Sequence, residues 1–110
     1  MSLTIFNLPN FSKDAKRLYK KYKNLPKDLK TLQDLLLENP KSGIKLGSSC
    51  YKIRLENSSV PTGKSKGFRV IYYYLDIKEN IYFMAMYSKS ELSNISDDKI
   101  EDILKTNGLD

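Results

Sequence analysis

At Gly43 the hydrophobic period of this chain changes, and that change bounds the folds open to it. Before it, apolar residues recur three and four apart, as on one side of a helix; after it they alternate, as on a pleated strand. Ahead of the switch, Thr4-Ile5-Phe6 reads as a short strand ended by Asn7 and Pro9. Ser12 then stands as the N-cap of a first helix whose apolar stripe is Phe11, Ala15, Leu18 and Tyr22. Pro26 opens a second helix with Leu25, Leu29, Leu32, Leu35 and Leu36 on one side, and Asn39-Pro40 ends it. The short link Asn24-Leu25-Pro26 makes the pair an antiparallel helical hairpin.

Behind the switch, Leu46-Gly47 closes a short strand or turn. In Tyr51–Glu56, Tyr51, Ile53 and Leu55 point one way while Lys52, Arg54 and Glu56 point the other. Phe68–Leu75 and Ile81–Tyr87 are rich in β-branched and aromatic residues, with Asp76–Asn80 as their hairpin connection. Ser96-Asp97-Asp98 caps a last helix that buries Ile100, Ile103 and Leu104, and Asn107-Gly108 stops it. The order predicts an α+β fold: an N-terminal helical hairpin packed on a small antiparallel sheet, then a C-terminal helix, with the helices on one face. A chain of 110 residues suits one domain, residues 1–110, with one core.

Histidine is absent, which removes His-based triads, His metal sites and two-histidine ribonuclease chemistry together. With Cys50 as the lone cysteine, neither an internal disulfide nor a zinc site is expected, and a reducing cytoplasm fits best. Nothing in the chain would activate Cys50 as a nucleophile, so it reads as a half-buried structural thiol. No apolar run approaches the ~18 residues of a membrane span, and no secretory leader is visible. The net charge of +6 is unevenly spread. Residues 1–90 carry 17 Lys and Arg against 7 Asp and Glu, a surplus of 10, whereas residues 91–110 carry 2 against 6. A basic body with an acidic last segment suits a polyanionic partner.

The chemistry concentrates in one stretch. Lys52 and Arg54 share one side of a strand, a loop follows that ends Gly63-Lys64-Ser65-Lys66-Gly67, and Arg69 opens the next strand. If the strands adjoin, three cations converge where an anion offsets their repulsion. Cleavage of RNA by its own 2′-hydroxyl builds charge on phosphorus, and one well-placed donor there contributes roughly 3–4 kcal/mol. A lysine crowded by cations is a general base near neutral pH, while arginine serves as a bidentate phosphate clamp. The same alternation also fits a half-exposed strand with a solvated face. Tyr72, Tyr73 and Tyr74 cannot all point one way; some belong to the core, and one is placed to stack on a base. Tyr87 ends its strand beside Ser88-Lys89-Ser90, where a phenol reaches a site at the strand ends.

Taken in order, Asn39-Pro40, Cys50–Leu55, Gly67–Tyr73 and Tyr87–Glu91 resemble the RelE/ParE toxin superfamily, and within it the RelE/HigB-like branch with a longer basic loop. The resemblance implies a toxin of a type II toxin–antitoxin module that cuts mRNA on the ribosome without metal or cofactor, leaving a 2′,3′-cyclic phosphate and a 5′-hydroxyl. It implies a cytoplasmic protein, monomeric when free, with a cognate antitoxin as partner and no membrane association. Carried over residue by residue, it makes Lys52 the base, Arg54 and Arg69 the phosphate clamps, and Lys89 the cation near the leaving 5′-oxygen. Lys64, Lys66, Tyr73 and Tyr87 become RNA contacts. Ser90 and Ser96 stand where relatives carry an Arg and a Tyr, so the proton donor is open. Two other readings share the fold: a ParE-like inhibitor of DNA gyrase, and a relative that binds RNA or ribosome without cutting.

Overall fold

The computed structural model of the chain describes residues 3–61 and 67–109. Its elements run β1 (Thr4–Asn7), α1 (Pro9–Tyr19), α2 (Leu25–Glu38), β2 (Ile44–Gly47), β3 (Cys50–Leu55), β4 (Phe68–Leu75), β5 (Asn80–Ser88) and α3 (Asp97–Thr106). One five-stranded sheet results, in the order β1-β5-β4-β3-β2. The strands β2 to β5 pair antiparallel, as their short connections require. The expected all-antiparallel sheet is nevertheless mixed, because β1 joins β5 in parallel. Thr4 N–H donates to Glu79 O and Leu8 N–H to Phe83 O, so the first strand docks on the last.

The α+β class and the helical hairpin stand, but the helices do not share one face. Tyr51, Ile53, Leu55, Val70, Tyr72, Phe83 and Met86 pack under Phe11 and Leu18 of α1 and Leu32 and Leu36 of α2. Their alternate neighbours, Cys50, Ile71, Tyr73 and Ala85, pack instead under Ile100, Ile103 and Leu104 of α3. Strand β4 explains this. It is buried without interruption from Phe68 to Tyr74, so both its faces, apolar apart from Arg69, need cover.

Two helix starts differ in an instructive way. Pro26 lies in the first turn of α2, as its fixed φ favours. The first helix, by contrast, begins at Pro9 with Leu8 as N-cap, and Ser12 N–H already donates to Leu8 O inside it. Proline lacks the N–H that the first turn leaves unused, so it outcompetes the side-chain cap. On α2, Leu35 is 46% exposed rather than part of the buried stripe. The last helix starts as expected, with Ser96 Oγ accepting from Lys99 N–H at 3.1 Å. The Tyr72 hydroxyl donates to Pro40 O at 2.8 Å and accepts from Gly43 N–H at 3.0 Å, fastening the link between α2 and β2 to the sheet. Among the described residues no helix is long and apolar enough to cross a membrane.

Beyond Phe83 the partner strand ends and the edge of β5 is covered by side chains. Asn10 Nδ2 donates to Met84 O at 3.0 Å, Asp14 Oδ2 accepts from Met86 N–H at 3.0 Å, and Glu91 Oε2 accepts from Ser88 N–H at 3.1 Å. Burial raises the pKa of Asp14 above the ordinary aspartate value; the Met86 amide and the nearby Arg17 charge oppose that shift. The folded state therefore holds this proton more tightly than the unfolded chain. Its stabilising contribution is complete in acid and is lost as pH rises through the folded pKa. Asp14→Ala, which leaves the Met86 amide without an acceptor, should cost about 1–3 kcal/mol at pH 7 in urea unfolding. Asp14→Asn keeps an acceptor and should stay within about 1 kcal/mol of the parent there, losing only an exposed pair with Arg17. On acidification the parent should gain on the Asn variant. A loss in Asp14→Asn equal to that in Asp14→Ala would contradict this account.

Candidate active site

Register, not proximity in sequence, assembles the cations. Arg54 lies directly opposite Arg69 on the β3–β4 ladder, and Arg69 lies opposite Tyr87 on the β4–β5 ladder. Opposed residues in an antiparallel pair project to the same face, so these three form one row across three strands. Lys52, paired with Ile71, is two residues from Arg54 and shares that face. It is the face that α3 covers, but α3 packs over the other end, around Cys50, Ile71 and Tyr73. Tyr87, at one end of the row, is buried in that same cluster, and Lys52 and Tyr87 meet the segment that leads into α3.

Arg69 is only 6% exposed, and one of its terminal nitrogens donates to Phe68 O at 3.2 Å. Burial first, and the facing Arg54 charge second, pull its pKa below the ordinary guanidinium value. Like charges placed directly opposite on a sheet are destabilising, and an anion between them reverses the sign. Arg54 itself is exposed, and Lys52 is half-buried.

The segment between β5 and α3 closes the group. Asn94 Oδ1 accepts from Lys52 Nζ at 3.3 Å and from the Tyr87 hydroxyl at 3.3 Å, so one oxygen holds the ammonium and the phenol side by side. Lys89 Nζ donates to Ser93 O at 2.7 Å, one residue away. Burial raises the pKa of Tyr87, against opposing effects of a backbone hydrogen bond at Ile95 and the Arg69 charge, so the phenol keeps its proton at neutral pH. The turn itself is pinned from behind. Glu91 Oε2 also accepts from Ser88 Oγ at 3.0 Å, and Glu91 Oε1 takes Arg17 at 2.8 Å from α1. Asn94 was not among the residues singled out in the sequence, and Glu91 entered there only as the end of a matching segment, with no role. A polar residue in an irregular segment carries no period, and its partners are set by the path of the chain.

No family model matches the chain. Solved structures do resemble it. A free-state mutant of the E. coli toxin RelE superposes with a TM-score of 0.62 at 18% identity, over 96% of this chain and 98% of that one. The isolated E. coli RelE toxin gives 0.59 at 18% identity, over 96% and 99%. This chain has the RelE fold. The intact E. coli RelBE toxin–antitoxin complex is a further match, at 0.56 and 19% identity, over 77% of this chain and 94% of that one.

Within the RelE fold the remaining candidates separate. Tyr73 pairs with Cys50 and lies buried in the cluster under α3, four residues along β4 from Arg69. At about 3.3 Å per residue that is some 13 Å from the cationic row, so the structure does not bring Tyr73 to it. It cannot stack on a base while Leu104 and Ile103 cover that end of the sheet. Lys64 and Lys66 lie outside the described residues. Cys50 is wholly buried rather than half-buried, with its thiol pushed up to about 11 by burial, which makes it inert. Among the described residues no three His, Cys, Asp or Glu side chains gather in a way that could hold a metal ion.

Proposed function

We propose that this chain is the toxin of a type II toxin–antitoxin module and cuts mRNA on the ribosome by attack of a 2′-hydroxyl on the adjacent phosphodiester. The observation that carries this reading is the cationic row: Arg54 and Arg69 face each other across a ladder, with Lys52 on the same face and within hydrogen-bond reach of Asn94. Such a set matches the charge that develops on a five-coordinate phosphate. Lys52, acting from its neutral amine form, takes the proton of the attacking 2′-hydroxyl and becomes a cation as charge builds on the phosphate. Arg54 and Arg69 hold the non-bridging oxygens, and Lys89 supplies positive charge toward the leaving 5′-oxygen. The P–O5′ bond breaks, leaving a 2′,3′-cyclic phosphate and a 5′-hydroxyl, with no electron transfer and no group carried by a cofactor. Lys64 and Lys66 would reach messenger or ribosomal RNA. A cognate antitoxin is part of the proposal, supported by the RelE fold and by the RelBE complex among its structural relatives.

The test is a reconstituted translation reaction in which messenger RNA is mapped for cuts in the ribosomal A site. The wild-type chain should cut, and Lys52→Ala and Arg54→Ala should each slow cutting by about 100-fold or more. Intact message with the wild type would refute the nuclease reading. A DNA-supercoiling assay on the same preparation then separates a gyrase inhibitor from a non-cleaving RNA binder.

A further inference from the structure

We infer that Tyr87 is the proton donor to the leaving 5′-oxygen and that Asn94 is the positioning residue that aims its hydroxyl; the inference rests on the proposed cleavage reaction. Three observations converge on this phenol. It stands opposite Arg69 in the ladder, so a phosphate held by Arg69 lies beside it. Its hydroxyl donates to the oxygen that also receives Lys52 Nζ, which places the base and the phenol within two hydrogen-bond lengths of each other. Its ring is buried in the cluster under the sheet face, so the hydroxyl has a fixed origin, while its acceptor, Asn94, is exposed to solvent.

Lys89 is less suited to the role. Its ammonium donates to Ser93 O at 2.7 Å and contributes charge from there. Ser90 is turned toward Ser88, their hydroxyls 3.2 Å apart, and Ser96 caps α3.

The step balances. A substrate oxygen displaces Asn94 Oδ1 from the phenol. As the P–O5′ bond breaks, its electron pair goes to O5′, and the phenolic proton follows, giving a 5′-hydroxyl and a phenolate beside Arg69. The proton gained by Lys52 from the 2′-hydroxyl returns to the phenolate after release, across the short gap that Asn94 spans.

The experiment compares two messages in single-turnover cutting on ribosomes: ordinary RNA, and RNA with a bridging 5′-sulfur at the scissile link. A thiol leaving group is acidic enough to depart without a proton. Tyr87→Phe, which keeps the buried ring, should cut ordinary RNA about 100-fold or more slowly at unchanged half-saturation. It should cut the sulfur substrate within about threefold of wild type. Asn94→Ala should show the same rescue with a smaller initial loss. Equal slowing of Tyr87→Phe on both substrates, or no slowing on ordinary RNA, overturns the assignment and leaves the nuclease reading intact. A wild type that cuts neither substrate removes the nuclease reading and this inference with it.

Discussion

Gly67→Ala should lower the unfolding midpoint by roughly 4–12 °C, the largest stability loss expected of a glycine-to-alanine change among the described residues. Gly67 sits at the mouth of the loop between β3 and β4, where a Cβ would collide with the backbone carbonyl of Leu55 and press on Asn57 N at 3.2 Å. Neither obstacle is the flexible end of a side chain. Leu55 is locked into the ladder opposite Phe68, and Asn57 is buried, with its side chain accepting from Ser59 N–H. Gly67 O in turn receives Lys89 N–H at 3.0 Å, so a shift would carry into the turn after β5. Overpacking a rigid site costs about 1–3 kcal/mol and occasionally more. Each kilocalorie moves the midpoint of a domain this size by about 4 °C or more. Thermal unfolding followed by circular dichroism measures this directly, and a midpoint within 3 °C of the parent would show that the loop gives way.

Arg69 carries the largest expected effect on activity. Arg69→Ala should reduce message cutting by about 100- to 1000-fold, the loss seen when a fixed donor to developing charge is removed. The conservative change is the sharper test. Arg69→Lys retains the charge but not the planar fork that holds two phosphate oxygens at once, so it should remain about 10-fold or more below wild type. The guanidinium is held in a buried position beside the Tyr87 ring, which makes its aim specific and a flexible ammonium a poor substitute. Cutting rates under single turnover, with unfolding midpoints run alongside, separate lost chemistry from lost structure. Near-normal cutting by Arg69→Ala in a folded protein would mean that phosphate is not held at this row.

How much of this could be read from residues alone depends on the range of the interaction. The alternation in Tyr51–Leu55 correctly separated Tyr51, Ile53 and Leu55, which pack under the helical hairpin, from Lys52 and Arg54 on the other face, because period two is a local property. Ser96 as a cap was equally local. The parallel docking of β1 on β5 was not visible. It joins residues more than seventy positions apart, and four residues such as Thr4–Asn7 carry no mark of their partner. The position of α3 followed from the same gap. Its apolar stripe was clear, but which face it covers depends on the double-sided burial of β4. Tyr73 illustrates the cost for the site: its residue type suited base stacking, and the helix above it does not allow it. Conversely Asn94, unremarkable in sequence, acquires meaning only from the two donors that the fold brings to it.

Both outer strands, β1 and β2, span only four residues, and β2 holds Lys45 near its middle. Strands that short and, in one case, charged make poor templates for accretion of further chains. On the β5 flank past Phe83, an intruding segment would first have to evict the Asp14 and Glu91 carboxylates from the amides of Met86 and Ser88. The molecule should accordingly resist fibril growth when overproduced, even though one of its central strands is buried on both sides.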